Sequence, residues 1–252
     1  MRIVPRLDIK GPNLIKGIQF EGLRVIGIPN EFALNYYRQG ADELIFIDTV
    51  ASLYGRNQLE SVLREAAENI FIPMAVGGGI NSVDNAKSLL RMGADKIAVN
   101  TAAIARPQLI SEIANEIGSQ SVIISIEAKR QSDGTWEAYT ENGRQRSGVE
   151  VVRWAETAEK LGAGEILLTS VDRDGTEKGF DFELYKCVRD ATSLPIILSG
   201  GFGSSEHLVE VAQCDSLDAI AFASAIHYER TSISRIRNEL RNLDVEVREF
   251  ND

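Results

Sequence analysis

Short runs of aliphatic and β-branched residues alternate with longer segments of helical period along the whole chain. Such alternation is typical of parallel strands that are joined by crossover helices. The pattern predicts about eight strand–helix units, which is the number found in a (β/α)8 TIM barrel. The length of 252 residues is also what one such barrel uses, so we expect a single domain over 1–252.

The two halves of the chain repeat the same landmarks. Glycine-rich stretches end two of the predicted strands, and their first glycines, Gly77 and Gly200, are 123 positions apart. Asp95 and Asp218 are separated by the same interval. A repeat at one fixed spacing predicts a barrel made of two similar half-barrels, about 1–118 and 119–252.

Two segments interrupt the alternation of strands and helices. Residues 9–29 are polar and glycine-containing and show no clean period, which predicts a long functional loop. Residues 129–148 contain an Asp-Gly and an Asn-Gly pair, which are typical of tight hairpin turns. We therefore expect a β-hairpin inserted after the fifth strand of the barrel.

Three further expectations concern single elements. Asn30 has a side chain suited to capping the first helix. His207 and His227, the only histidines, have no metal-ligand spacing, so we expect surface or helix-capping roles for both. The charged tail that follows the last predicted helix is expected to be poorly ordered.

Composition and charge narrow the class of protein. Twenty-seven basic and thirty-seven acidic residues give a net charge of −10, which argues against nucleic acid or an anionic membrane as the main partner. Cys187 and Cys214 match no metal-ligand spacing and form no disulfide framework. The N-terminus lacks the apolar block of a signal peptide, and we expect a soluble, cytoplasmic protein.

The C-terminal ends of barrel strands face the active site, whatever reaction it performs. The predicted ends hold carboxylates, glycines and small polar residues: Asp8, Asp48, Gly77–Gly79, Asn100, Glu127, Thr169, Ser199–Gly201 and Ser224, with Asp174 in a loop just beyond. Ionised carboxylates are costly to bury unless they are paired or used in chemistry. The strand ends therefore predict an active site.

The half-barrel repeat predicts how these residues face one another. Asp8 and Glu127 end opposed strands, and two opposed carboxyl groups suit the exchange of protons with a substrate. The two glycine stretches are opposed in the same way, and glycines followed by a helix start favour a bound phosphate. We therefore expect a substrate with a phosphate at each end, and sugar-phosphate chemistry without a metal or redox cofactor.

Eight stretches carry a resemblance to a known family: Arg2-Ile-Val-Pro-Arg-Leu-Asp8, Leu14-Ile-Lys16-Gly17, Asp42-Glu43-Leu-Ile-Phe-Ile-Asp48, Val76-Gly-Gly-Gly-Ile80, Ala94-Asp-Lys-Ile-Ala-Val-Asn-Thr101, Gly164-Glu-Ile-Leu-Leu-Thr-Ser170, Asp172-Arg-Asp-Gly-Thr176 and Ser199-Gly-Gly201. Through them the chain resembles, from Arg2 to about Leu240, the cyclase subunit of imidazole glycerol phosphate synthase in histidine biosynthesis. That resemblance implies a glutaminase partner, which forms a heterodimer on the N-terminal face of the barrel. It also implies that ammonia crosses the barrel interior to close an imidazole ring on a bisphosphorylated ribulosyl aminoimidazole carboxamide nucleotide.

The resemblance also assigns roles to individual residues. It implies that Asp8 is a general acid/base, with Glu127 at the position of the second one. The substrate-binding residues that it implies are Lys16, Asp48, Asn100, Thr169, Asp174 and Ser199. The two phosphates would be held by Gly78, Gly79, Gly175, Gly200, Gly201, Ala223 and Ser224. The ammonia entrance would be formed by Arg2, Glu43, Lys96 and Glu165.

Two positions depart from the family pattern. The family has aspartate where this chain has Glu127, and a carboxyl misplaced by about 1 Å can cost roughly a hundredfold in rate. Arg6 replaces an uncharged residue, and its guanidinium is expected to pair with a nearby carboxyl or lower its pKa. These departures leave two alternatives open: a paralogue that delivers ammonia to another amidotransfer, such as amidination of a surface sugar, and the isomerase that precedes the cyclase.

Overall fold

The computed structural model describes residues 1–51, 59–214 and 216–250. Within these ranges the strands are β1 (Arg2–Lys10), β2 (Asn13–Ile18), β3 (Glu21–Gly27), β4 (Leu44–Asp48), β5 (Met74–Gly77), β6 (Lys96–Val99), β7 (Val122–Arg130), β8 (Trp136–Thr140), β9 (Gln145–Glu150), β10 (Glu165–Ser170), β11 (Ile196–Ser199) and β12 (Ala219–Phe222). The helices are α1 (Pro29–Arg38), α2 (Glu60–Asn69), α3 (Val83–Arg91), α4 (Thr101–Ala105), α5 (Gln108–Ile117), α6 (Val151–Lys160), α7 (Phe182–Ala191), α8 (His207–Ala212), α9 (Ser224–His227) and α10 (Ile233–Asn242). The loop predicted around Ser52 and Gly55 lies outside the described residues.

Eight of the strands form a closed parallel barrel in the order β1-β4-β5-β6-β7-β10-β11-β12, with β12 pairing back to β1. Helices connect successive parallel strands, because a parallel pair cannot be joined by a tight turn. The predicted (β/α)8 barrel is confirmed. Among the helices described, none is both long enough and apolar enough to cross a bilayer.

Each half of the barrel begins with a long strand that continues into an antiparallel hairpin. β1 pairs with β2 and β2 with β3, while β7 pairs with β8 and β8 with β9. The hairpin predicted for residues 129–148 is confirmed. The long loop predicted for residues 9–29 is wrong, since β2 and β3 occupy most of that segment.

Four of the ten helices named above begin at a side-chain cap, at Ser82, Glu150, Asp181 and Ser232. The Ser82 and Ser232 hydroxyls accept hydrogen bonds from the third amide beyond them and cap α3 and α10. The expected Asn30 cap is wrong. Ile28 stands at the cap position of α1 without a side-chain bond, and Pro29 begins the helix, where its missing N–H costs nothing.

The apolar side chains form two layers, one outside and one inside the barrel. The outer layer packs the strands against the helices. The inner layer fills the barrel with Val4, Ile45, Ile47, Ala75, Ala98, Ile123, Leu167, Ile197, Ala219 and Ala221. The two polar ends of the barrel are therefore separated by side chains that do not hydrogen-bond to one another.

The C-terminal tail is docked on the N-terminal end of the barrel. Arg248 forms an ion pair with Asp42 at 2.7 Å and donates to the Gly40 and Ala41 carbonyls. Arg237 of α10 contacts Asp42 at 2.8 Å and donates to the Arg248 carbonyl. The expectation of a poorly ordered tail is wrong as far as Phe250, because two arginines tie the tail to one buried carboxylate.

Candidate active site

Alternate residues of β1 face the barrel interior, because side chains in a strand point to opposite faces in turn. Val4 belongs to the inner apolar layer, with Arg2 on one side of it and Arg6 and Asp8 on the other. One strand therefore contributes to both polar ends of the barrel. Arg6 and Asp8 lie at the C-terminal end, where the catalytic residues are predicted.

Four charged side chains at this end form a buried ion cluster: Arg6, Asp8, Lys16 and Asp174. Arg6 Nε is 2.9 Å from one Asp8 oxygen, and Lys16 Nζ is 3.5 Å from the other. Lys16 Nζ also lies 2.8 and 2.9 Å from the two oxygens of Asp174. Each of the four residues is no more than 3% exposed.

The cluster keeps Asp8 ionised. Burial alone would raise the pKa of this carboxyl, but the charges of Arg6 and Lys16 outweigh that effect and hold the pKa below its usual range. The pKa of Arg6 is raised: burial works to lower it, and Asp8 and other carboxylates overcome the burial. The expected pairing of Arg6 with a carboxyl and its effect on the pKa are both present.

Glu127 lies in a different environment from Asp8. In the described part of the chain, its carboxyl accepts one hydrogen bond, from the Gly143 N–H at 2.7 Å. Burial raises its pKa to about 7, because the attraction of Arg6 and the Gly143 bond offset the desolvation only in part. At neutral pH this group can therefore donate as well as accept a proton.

The hairpin β2–β3 covers the ion cluster. Its two turn residues, Gln19 and Phe20, both have positive φ, at 51° and 61°. Phe20 is 3% exposed, and its ring lies 5.4 Å from the Arg6 guanidinium and 5.9 Å from Lys16 Nζ. The sequence analysis did not predict a role for Phe20. The one signal for it was a large apolar side chain within a segment that was predicted to be a polar loop.

A cavity of about 240 Å³ lies beside Glu127. Five predicted residues line it: Asp48, Gly78, Gly79, Asn100 and Glu127. Gly78 has a φ of +105°, and a Cβ there would lie 2.3 Å from the Asp48 carbonyl oxygen, so a side chain would block the turn. Ser125, Glu141 and Asn142 also line the cavity and were not predicted.

A second cavity, of about 530 Å³, lies beneath the hairpin β2–β3. Gly175 and Ser224, which were predicted to hold phosphate, line it together with Lys16, which was predicted to bind substrate, and with Arg24 and Arg230. Gly201 is not among the lining residues; a Cβ on it would lie 2.0 Å from the Gly179 carbonyl oxygen. This close packing holds the glycine turn after β11 against the neighbouring loop.

The remaining site residues predicted for this end of the barrel line neither cavity: Asp8, Thr169, Asp174, Ser199, Gly200, Gly201 and Ala223. Thr169 joins the ion cluster, since its hydroxyl accepts from Arg6 Nη1 at 2.8 Å. Ser199 ends β11 and pairs in register with Thr169. These residues thus lie at the same end of the barrel as the cavities without bordering them.

The residues that precede two short helices have matching backbones. Asn100, before α4, has φ −129° and ψ −90°, and Ala223, before α9, has φ −138° and ψ −88°. Each of these helices begins beside one of the two cavities, at Thr101 and Ser224. The half-barrel repeat thus extends to the dihedral angles of the predicted phosphate sites.

The opposite end of the barrel carries the four residues predicted for the ammonia entrance, Arg2, Glu43, Lys96 and Glu165, and we name this set the entrance ring after that prediction. Lys96 Nζ is 3.0 Å from Glu43 and 2.8 Å from Glu165. Arg2 is 2.6 Å from Glu43 and also bonds Glu165. Burial raises the pKa of Glu43 despite both cations. The four residues predicted for one site are therefore together, each cation bridging both carboxylates.

The two histidines differ from each other in their surroundings. His207 is partly exposed, which agrees with the expected surface role; its Nδ1 accepts a hydrogen bond from the Gly203 N–H in the loop before α8, not from an N–H of the helix. His227 is 3% exposed, and its ring bonds the Tyr36 hydroxyl at 2.7 Å and the Arg6 carbonyl at 3.0 Å. The surface or capping role expected for His227 is wrong. Burial, followed by the charge of Lys16, lowers its pKa to about 4.

Comparisons with known proteins agree on one family. The model of the histidine biosynthesis protein family matches residues 2–232. The chain is 62% identical over 206 residues to the imidazole glycerol phosphate synthase subunit HisF of Legionella pneumophila, covering 82% of this chain and 97% of the relative. It is 48% identical over 248 residues to the subunit of the same name from Anoxybacillus flavithermus (strain DSM 21510 / WK1), covering 98% of each chain.

Proposed function

The chain belongs to the family of HisF subunits of imidazole glycerol phosphate synthase, and on this basis we propose that it is the cyclase subunit of that enzyme in histidine biosynthesis. It would act as a carbon–nitrogen lyase that uses ammonia to close an imidazole ring. Its substrate would be a bisphosphorylated ribulosyl aminoimidazole carboxamide nucleotide. The observation that carries the proposal is a pair of buried carboxyl groups, Asp8 and Glu127, at a barrel end with two cavities.

We assign one phosphate of the substrate to each cavity. Gly78 and Gly79 border the first, and the matching site of the second half would use Gly175, Ala223 and Ser224. Gly200 and Gly201 shape the turn that holds this second site. The support is the matched backbone at Asn100 and Ala223, together with the amide groups that a glycine turn and a helix start offer to an anion. Arg24 lines the second cavity and brings positive charge to it.

Asp8 and Glu127 are the proposed acid/base pair. Their environments differ, because Asp8 is held ionised by cations and Glu127 has a pKa of about 7. Carboxyl groups with such separated pKa values can divide proton donation and acceptance between them at neutral pH. Asp48, Asn100, Thr169, Asp174 and Ser199 would position the substrate around this pair.

The relatives are named as subunits, so we propose that this chain also acts in a complex. A glutaminase subunit would dock on the end of the barrel that carries the entrance ring. Ammonia is small and uncharged, and the apolar inner layer between the ring and the ion cluster suits its passage better than that of ammonium. The ring would thus admit ammonia to the barrel and exclude other solutes.

The paralogue that serves another amidotransfer is not favoured, since both relatives carry the synthase name. The isomerase is also less favoured, because the complete entrance ring has no use in a reaction without ammonia. Glu127 remains the position at which the alternatives differ, because it replaces the family aspartate in the proposed acid/base pair.

The proposed function is tested by supplying the purified protein with the bisphosphate nucleotide and excess ammonium salt. We expect loss of substrate absorbance and formation of the imidazole product. Glu127→Asp moves the carboxyl by about 1 Å, which is expected to change the rate by up to roughly a hundredfold. No turnover by the wild type, with turnover restored by Glu127→Asp, would contradict the cyclase and favour the paralogue.

A further inference from the structure

The Arg6 guanidinium contacts three other side chains. Nε donates to Asp8 at 2.9 Å, Nη1 donates to the Thr169 hydroxyl at 2.8 Å, and the ring of Phe20 lies 5.4 Å from the guanidinium carbon. Its backbone carbonyl is bonded by His227. The Arg6 side chain is 2% exposed, and these contacts restrict the orientation of its guanidinium. Its charge-assisted hydrogen bond in turn restricts the orientation of the Asp8 carboxylate.

The charges of the buried cluster are balanced without Glu127. Arg6 and Lys16 supply two positive charges, and Asp8 and Asp174 supply two negative ones. Glu127 has no cation among the hydrogen-bond partners that the structure describes, only the Gly143 N–H. Ionising Glu127 as well would leave a net negative charge buried at the barrel end, which is costly in a water-poor site.

We propose that Arg6 is a positioning residue that keeps the Asp8 carboxylate ionised and fixed in place, so that Asp8 accepts a proton and Glu127 donates one during turnover. The direction of these transfers rests on the proposed function. The charge states before substrate binds do not rest on it: they follow from the ion pairs of Asp8 with Arg6 and Lys16 and from the burial of Glu127 without a cation partner among the described hydrogen bonds. Each turnover restores both groups, because the proton gained by Asp8 and the one lost by Glu127 exchange with water.

The charged groups around Asp8 and Glu127 favour an ionised Asp8 and a protonated Glu127. Asp8 faces Arg6 on its own strand, Lys16 on β2 and neutral His227 on α9, and the cations favour its ionised form. Glu127 faces Arg6, which favours ionisation, and Asp8 and Asp174, which oppose it. Asp48 and Glu141 are the other acidic residues that line the cavity beside Glu127.

The test combines carboxyl NMR titration with kinetics on wild type, Arg6→Met and Arg6→Lys. With ¹³C-labelled Asp and Glu side chains, we expect wild-type Glu127 to titrate near neutrality while Asp8 stays ionised down to pH 5; D8N and E127Q assign the signals. Arg6→Met should raise the Asp8 titration by roughly 1–3 pH units, the usual effect of an adjacent arginine. The acid limb of the kcat/KM profile should move to higher pH by the same amount. In Arg6→Lys, both the Asp8 titration and the acid limb should return most of the way to their wild-type positions.

Arg130→Met is the matched control, because it removes an arginine–carboxylate pair with Glu183 on the exposed surface. It should leave both titrations and the pH profile unchanged. The inference is overturned if wild-type Asp8 titrates above Glu127, or if Arg6→Met lowers kcat/KM equally at every pH with no change in the Asp8 titration. Absence of wild-type turnover would count against the proposed function only, since the NMR titration needs no substrate.

Discussion

The entrance ring shows how single residues set the properties of one end of the barrel. Glu43 and Glu165 are buried, and each contacts both Arg2 and Lys96. Removing one partner of a buried ion pair costs about 3–5 kcal/mol, because it leaves an uncompensated charge. The ring is therefore a closed arrangement in which no member can be changed without affecting the others.

Lys96 gives the sharpest test of the proposed entrance. In Lys96→Glu, the three carboxylates would repel one another around a single arginine and open the ring. We expect glutamine-dependent turnover in the presence of the glutaminase to fall at least tenfold, while turnover with excess ammonium salt stays within about threefold of wild type. A tenfold effect corresponds to only about 1.4 kcal/mol, which is less than the cost of breaking the ring. The two activities are measured on the same preparation.

Lys87→Glu is the control for this substitution, since Lys87 pairs with Glu116 on the outside of the barrel. It should leave both activities unchanged. If Lys96→Glu kept the wild-type ratio of glutamine-dependent to ammonium-dependent turnover, the ring would not be the ammonia entrance. The ammonium-dependent activity also reports whether the variant is folded.

At the scale of single residues, sequence reasoning located the charged strand ends but not all of their partners. The spacing of β1 and β7 put Asp8 and Glu127 at opposed strand ends, and Arg6 was expected to pair with a carboxyl. His227 was misjudged because its burial depends on Tyr36, which lies 191 positions away. Phe20 was missed because its contacts with Arg6 and Lys16 arise only after the hairpin has folded over the cluster.

At the scale of elements, the two hairpins differ in how clearly the sequence shows them. The hairpin β8–β9 follows from glycine turn signals and from strand β8, which is buried along its length. The hairpin β2–β3 has a largely exposed outer strand and register shifts after Leu14 and Lys16. Its apolar residues therefore do not alternate, and its turn uses Gln19 and Phe20 where Asn-Gly is usual.

The two hairpin turns meet at Gly143, which gives a test of whether Phe20 holds the hairpin β2–β3 on the ion cluster. Gly143 has a φ of +72°, and a Cβ there would lie 2.6 Å from the Phe20 ring. Gly143→Ala should push Phe20 off the ion cluster, expose residues 13–27 to hydrogen exchange and lower kcat/KM. An alanine at positive φ also costs about 1–2 kcal/mol, whatever its neighbours are.

Gly134→Ala separates the two effects of that substitution. Gly134 has a φ of +87°, but a Cβ there would meet nothing within 4 Å. The Gly134→Ala variant should therefore lose a similar amount of stability, but amide hydrogen exchange in residues 13–27 should not become faster. If both variants changed exchange in that segment to the same extent, the position of Phe20 beside Gly143 would not be what holds the hairpin β2–β3 on the ion cluster.

At the scale of the whole molecule, chain ends and barrel closure depend on contacts between distant parts of the sequence. The barrel itself was predictable, because eight strand–helix units and a repeat of fixed spacing favour one architecture. The tail was not, because Arg248 finds its partner Asp42 at the other end of the chain. The composition of the tail shows only that it is charged, and it cannot show that a buried carboxylate near the start of the chain will bind it.

Two buried groups are expected to give the folded protein opposing responses to pH. His227 has its pKa lowered from 6.5 to about 4, so only the unfolded chain gains this proton between those values, and stability rises with pH there. Glu127 has its pKa raised from 4.5 to about 7, so only the folded protein keeps this proton, and stability falls as pH rises. Each shift corresponds to about 3 kcal/mol, and in the wild type the two trends nearly cancel between pH 4.5 and 6.5.

Single substitutions should remove one trend and reveal the other. In His227→Gln, the free energy of unfolding should fall relative to wild type by up to about 3 kcal/mol as pH rises from 4 to 6.5, because the compensating histidine no longer titrates. In Glu127→Gln it should rise relative to wild type between pH 4.5 and 7. Urea unfolding at several pH values measures both differences, and common effects of other groups cancel in the comparison. Curves parallel to that of the wild type in both variants would mean that neither group titrates abnormally in the folded barrel.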